Sequence, residues 1–189
     1  MSNRSFKLGF QVVLALAAIF CFAASQAAAQ SSNVVTGTIE KVDSGAKTIA
    51  VKTADGTVQT VKFTEKTTVN GLKDGAKGAD LVGKEGGHVI VHTVGEGADK
   101  SAHSVEWVGD KTVHVTEGTV EDVGKGTKTV AVKTADGAKE TFVVADHATV
   151  STGKGVAHYS AEGAKKGEHV TVYYTEAAGK KIAHVFKHL

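Results

Sequence analysis

Nine histidines, at positions 88, 92, 103, 114, 147, 158, 169, 184 and 188, are the most distinctive chemical group in this 189-residue sequence. Neutral imidazole is a good ligand for Zn, Cu and Ni. His88 and His92 stand four apart in a Val-rich alternating segment. On a strand both would project from one face, about 13 Å apart at ~3.3 Å per residue, too far to share an ion without partners from a neighbouring strand. His103 lies in the next such segment, and Asp99, Glu106 and Glu176 offer oxygen ligands nearby. In the second half of the chain His169, His184 and His188 stand in similar surroundings, with Tyr173 in the place of His92. The pattern nominates His88, His103, His169 and His184 as the metal-ligand candidates, because both halves keep them. The competing reading is that they are half-exposed strand residues where Thr or Lys would serve as well. Titration of nine imidazoles would also carry the charge upward by about nine units below pH ~5.5.

Other chemistry is poorly provided for. There is no Gly-x-Ser-x-Gly elbow, His-Glu-x-x-His helix, P-loop or Gly-x-Gly-x-x-Gly turn. Asp146 and His147 are adjacent, so on a strand they point to opposite faces and make a poor dyad. Asp55-Gly56 lacks the further acids of a calcium loop and reads as a turn. No enzyme is expected, and no cofactor other than a divalent metal. Trp107, Tyr173 and Tyr174 could stack on a sugar or a partner protein, although alternation would also place one of each strand pair in a core.

The first 29 residues differ from the rest. Arg4 and Lys7 precede an apolar run from Leu8 to Ala24, and Ala27-Ala28-Ala29 leads into polar Gln30-Ser31-Ser32. That order predicts a signal peptide over 1–29, with Phe20 before Cys21 disfavouring lipidation. Residues 30–189 then hold 20 Lys, 20 acids and no Arg, a formal charge of 20 − 20 = 0. They contain no Cys, Met or Pro, which excludes disulfides, thiolate metal sites and a cysteine nucleophile. No second apolar run approaches the ~20 residues of a membrane helix, so no span is expected after cleavage. With neutral charge and seven aromatics in this part, a nucleic-acid partner is not expected either. The address implied is periplasmic or secreted.

The elements that must position these residues come twice. At an offset of 81 residues, 37–108 and 118–189 share 27 identities in 72 positions, without a gap. Ala50-Val51-Lys52-Thr53-Ala54-Asp55-Gly56 recurs unchanged as 131–137, and His88-Val89 and Ala102-His103 recur as His169-Val170 and Ala183-His184. Residues 30–110 and 111–189 are therefore read as two copies of one domain. With 26 Val, 21 Thr and 4 Ile against 3 Leu in 30–189, the copies are β-rich. Alternation predicts strands near 34–42, 47–53, 57–63, 88–94 and 101–108, with counterparts 81 residues on. Asp-Gly at 55–56 and 136–137 supplies a hairpin turn, and Gly37 and Gly118 allow the first strand to bend. Gly155–Glu162 could form a short helix, while its first-copy equivalent within 71–87 supports one poorly. The expected fold is all-β, with room for that short helix: two tandem five-stranded barrels of OB-like or SH3-like type, packed together so that exposed edges are covered.

The repeated Gly-Thr-(Ile/Val)-Glu, the Ala-Val-Lys-Thr-Ala-Asp-Gly hairpin, His-Val-x-Val and Ala-His together resemble the small barrel domains of unknown function common in exported bacterial proteins. They are similar in build to periplasmic bacterial OB-fold proteins. The resemblance covers nearly all of 34–189 and implies fold and location; it brings no active residues with it. The function expected is a non-enzymatic binding or interaction module of the cell envelope, with an envelope protein, a glycan or a metal ion as partner. The alternative is a periplasmic Zn, Cu or Ni buffer using the strand histidines.

Overall fold

A computed structural model describes residues 32–95, 100–124, 126–152, 155–160 and 164–189. The leader expected over 1–29 lies outside the described residues. The first copy forms β1 (Ser32–Asp43), β2 (Thr48–Lys52), β3 (Val58–Lys62), β4 (Thr68–Asn70), β5 (His88–Val94) and β6 (Ser101–Gly109). The second forms β7 (His114–Gly124), β8 (Thr129–Thr134), β9 (Lys139–Thr152), β10 (Gly155–His158), β11 (His169–Ala177) and β12 (Lys180–His188).

Pairing makes each set a closed ring. The first sheet runs β3-β2-β1-β5-β6-β4, with β3 returning onto β6. The second runs β10-β9-β12-β11-β7-β8, with β9 returning onto β8. β1 is antiparallel to both β2 and β5, whereas β3 meets β6 in parallel at Lys62 and Ser101. The second copy repeats this arrangement, its parallel β9–β12 pairing running from Phe142–Lys181 to Ser151–Lys187. This is the Greek-key barrel of the OB-fold, so of the two barrel types expected the OB type is the one formed.

Period-two alternation fills the cylinders. Ile39, Ile49, Val51, Val61, Val89, Val91 and Val105 are at most 1% exposed in the first core. Phe142, Phe186, Val130, Val132, Val170 and Val172 are fully buried in the second. Each such side chain contributes about 1.5–3 kcal/mol by leaving water. Curvature is introduced at matched places: a bulge interrupts the register between Ile39 and Lys41, and another between Val120 and Asp122. Gly37 and Gly118 are required by close approach, since a Cβ there would lie 2.2 and 2.3 Å from the carbonyl oxygens of Lys52 and Lys133. The Asp-Gly turns form as expected, with Gly56 at φ 85° and Gly137 at φ 87°.

The copies diverge after the third strand, and the expectation for the helix must be corrected. In the first copy the chain turns after Lys62. Thr67 Oγ1 accepts the Thr64 N–H at 2.9 Å and donates to the Ala102 carbonyl at 2.6 Å, while Thr64 Oγ1 accepts the Lys66 N–H at 3.2 Å. The equivalents of Thr64 and Thr67 are Ala145 and Ala148. Without those hydroxyls the strand continues, and β9 reaches Thr152 instead of ending near 144. The short helix appears in the first copy, as a 3-10 turn over Gly78–Leu81. Asp80 Oδ2 accepts the Lys77 N–H at 2.8 Å, and Leu81, fully buried, anchors the turn in the core. In the second copy Gly155–His158 is a strand paired with β9. Tyr159 stands where the first copy has Gly78, and its ring packs on Phe186 at 5.1 Å. Among the described residues no helix is long and apolar enough to cross a membrane.

Candidate functional site

The residues of greatest chemical interest meet where the two barrels touch. On β5, Val89 and Val91 enter the first core, so strand alternation turns Ile90 and His92 outward. An outward residue on an isolated barrel would be wet, yet Ile90 and His92 are 0 and 1% exposed. Ser104 and Glu106, outward on β6, are buried too. On the second barrel Thr149 and Ser151 of β9 and Thr175 of β11 are buried although Ala148, Val150, Val172 and Tyr174 face the core. Together these outward residues form a dry, polar seam.

Two contacts cross it directly. Thr149 Oγ1 lies 2.7 Å from His92 Nε2. Glu106 Oε1 lies 3.4 Å from His184 Nδ1, with both side chains about one-tenth exposed. His184 Nε2 in turn is 2.9 Å from Thr175 Oγ1. The two imidazoles are therefore held alike, each with Nε2 on a threonine hydroxyl. Among the described residues His92 Nδ1, His184 Nδ1 and Ser104 Oγ are buried without a hydrogen-bond partner, the Glu106–His184 contact being close enough for ion pairing but badly aligned for a hydrogen bond. Burial pushes the His92 imidazole down to about 4, helped by the nearby His103.

The four nominated metal ligands take different positions. His184 lies in the seam beside Glu106. His103 is exposed on β6, near enough to His92 to influence its protonation. His88 is half-buried on β5, lining a hollow of about 330 Å³ with Lys52 and Thr112. His169 is exposed on β11, with Thr119 Oγ1 3.3 Å from its Nε2. The structure thus sets His184 beside a carboxylate, places His103 near enough to His92 to act on its charge, and leaves His88 and His169 each on its own barrel. Among the described residues no group of three or more His, Asp or Glu side chains is placed to hold one metal ion. Asp99 lies outside the described residues, and Glu176 is exposed.

The other candidates are absorbed by packing. Tyr174 is buried in the second core, edge-on to Phe142 at 5.1 Å and stacked with His114 at 5.3 Å. Tyr173 is half-buried. Trp107 is packed against the first core with the Lys84 ammonium 5.5 Å over its ring. Asp146 pairs with Lys128 at 2.8 Å rather than with His147. Sequence reasoning missed Thr149, Thr175 and Ser104, the hydroxyls that line the seam. The alternation Ala148-Thr149-Val150-Ser151 puts small polar residues on the outward face, as an exposed strand would, and so gives no sign that this face is covered.

No family model matches the chain, and no curated protein matches it. Among solved structures it is similar to Ag(I)-bound CusF, with TM-score 0.32 and 12% identity over 41% of this chain and 99% of that one. It is similar to apo-CusF from Escherichia coli, with TM-score 0.32 and 12% identity over 42% of this chain and 89% of that one. It is also similar to the Drosophila Unr CSD456 structure, with TM-score 0.30 and 15% identity over 85% of this chain and 63% of that one.

Proposed function

We propose that this chain is an exported, non-enzymatic binding module of the cell envelope, in which two OB barrels act as one body toward an envelope protein or a glycan. The observation that supports the reading is the use made of the reactive side chains. A general acid or base must reach its substrate, whereas His92 and Glu106 are buried against the second barrel and His184, about one-tenth exposed, meets Glu106 across the seam, so that these groups tie the two barrels together. What remains outside is a surface of threonines, lysines and carboxylates on which His103, His114, His147, His158 and His169 also stand exposed. Among the described residues none of these belongs to a group of three or more His, Asp or Glu side chains placed to hold a metal ion, and such a surface suits shape recognition. The test is co-sedimentation of the purified protein with peptidoglycan sacculi, alongside amine-reactive crosslinking in cells that express it. Retention on sacculi or one defined crosslinked adduct is expected. Absence of both would overturn the reading.

A second reading, binding of a divalent metal such as Zn, Cu or Ni, is favoured by one feature. Both seam imidazoles have Nε2 fixed by a hydroxyl and a buried Nδ1 that has no hydrogen-bond partner among the described residues, which is how a second shell commonly orients a metal-binding histidine. Glu106 supplies an oxygen beside one of them. Calorimetric titration with each ion separates the readings. Heat at tens of micromolar metal that disappears in Glu106→Ala and His184→Ala supports the metal site, and an unchanged heat in those variants removes the seam from it.

A further inference from the structure

Each barrel carries a small pocket at the β1–β2 or β7–β8 hairpin, and the two are built from equivalent positions. In the first barrel, Lys47 and Glu65 flank a hollow of about 140 Å³ whose floor is Phe63. In the second, 81 residues on, Lys128 and Asp146 flank one of about 200 Å³ over Val144. The ammonium–carboxylate distances are 3.1 and 2.8 Å. The surroundings have drifted, since Phe63 has become Val144, Lys66 has become His147 and Gly78 has become Tyr159. The charge pair has stayed even though the acid changed length.

Stability does not account for that retention. Lys47 and Lys128 have φ 52° and 47°, a left-handed conformation that costs an L-residue energy and glycine almost none. Their carbonyls accept the N–H groups of Phe63 and Val144 at 2.8 Å, which any residue could do. Their ion pairs are open to water, with side-chain exposures of 54 and 90% in one and 69 and 80% in the other, and such pairs contribute little. A lysine side chain has been kept twice at a position where the backbone prefers glycine.

We infer that the two pockets are equivalent binding sites for a small zwitterion with an apolar side chain, the chemistry of a free aliphatic α-amino acid. The ligand carboxylate would take the lysine, its ammonium the acid, and its side chain the apolar floor. Opening the exposed ion pair costs little, so the ligand's charges can exchange for it. A simple anion would meet Glu65 or Asp146, and a simple cation would meet Lys47 or Lys128. A stacked sugar is disfavoured in the first barrel because Gly78, whose Cβ would lie 2.4 Å from the Phe63 ring, closes one side of it, and in the second because Tyr159, the aromatic ring lining the pocket, is already engaged with Phe186 at 5.1 Å. Both volumes lie well below the ~300 Å³ at which drug-sized pockets begin.

This inference rests on the binding-module reading and names a site and ligand for it. The test is a titration of ¹⁵N-labelled protein with L-leucine, following the amides of Phe63 and Val144. Leucinamide, 4-methylpentanoate and glycine serve as the cation-only, anion-only and chain-less probes. Leucine is expected to shift both amides with one saturable curve, and the three controls to bind at least about tenfold more weakly. Lys47→Gln should silence the Phe63 response alone and Lys128→Gln the Val144 response alone, the untouched barrel reporting that the variant is folded. Equal shifts from the single-charge probes, or no shift at either amide, would overturn the inference. Should sacculi or a crosslinked partner still be retained in that case, the binding-module reading stands and only this site falls.

Discussion

His92 of the first barrel and Thr149 of the second are joined across the inter-barrel seam, Nε2 to Oγ1, at 2.7 Å. The imidazole is 1% exposed and the hydroxyl-bearing residue 6%, so neither can fall back on water if the other is lost. That one contact couples the tandem arrangement to protonation and to packing.

The pH dependence follows with a definite sign. Burial holds His92 at about 4 in the folded chain, against an ordinary value near 6.5. Between these values the unfolded chain binds more protons than the folded one, so stability rises with pH. The contribution is complete above about pH 6.5 and is lost as pH falls toward 4, on the order of 3 kcal/mol in all. The groups that face His92 are Thr149 across the seam and His103 beside it, with the Glu106–His184 pair further along. Urea unfolding from pH 7 to 4.5 should show a steeper loss in the wild type than in His92→Gln. Parallel curves would show that His92 does not titrate on unfolding.

Thr149→Val removes the hydroxyl while keeping the shape. It strands His92 Nε2 in a dry interface, at a cost of about 1–3 kcal/mol. Thr141→Val, at an exposed position, should stay within about 0.5 kcal/mol. Equal effects at the two sites in chemical denaturation would mean the seam hydrogen bond is immaterial.

Replacing the left-handed lysines should stabilise. Lys47→Gly and Lys128→Gly relieve φ values of 52° and 47° and lose only an exposed ion pair, for a net gain of about 1 kcal/mol each. A raised melting temperature checks this. A fall would assign the lysines a structural role.

Thr67→Ala tests why the copies differ. Its hydroxyl is fully buried and bonds both the Thr64 N–H and the Ala102 carbonyl, so its loss should cost about 2 kcal/mol. Ala148→Thr, at the matching position in β9 where the turn is absent, should restore nothing. Amide exchange at Thr64 and Lys66 reports the turn directly.

Much of this architecture was legible in the chain. The alternation through Val89-Ile90-Val91 and Val130-Ala131-Val132 and the Asp-Gly turns each act within one strand or one hairpin, and the 81-residue offset carries that local pattern from the first copy to the second. Phe63, Phe142 and Phe186 occupy the cores as their apolar character requires. The helix was harder, because a four-residue 3-10 turn depends on single contacts, Asp80 to Lys77 and Leu81 in the core, and carries no periodicity. The histidines were hardest. Strand spacing gives the face a residue occupies but not what covers that face, so His92 and Glu106 read as surface residues although the second barrel buries them. Thr149 and Thr175 carry no signal of their own in a chain so rich in threonine.

The central claim is that the seam makes two barrels one body, and ¹⁵N relaxation of the intact protein measures it most directly. Amides of the two barrels should fit a single diffusion tensor and one correlation time at neutral pH. Two independent correlation times, each as short as that of a lone barrel, would contradict it.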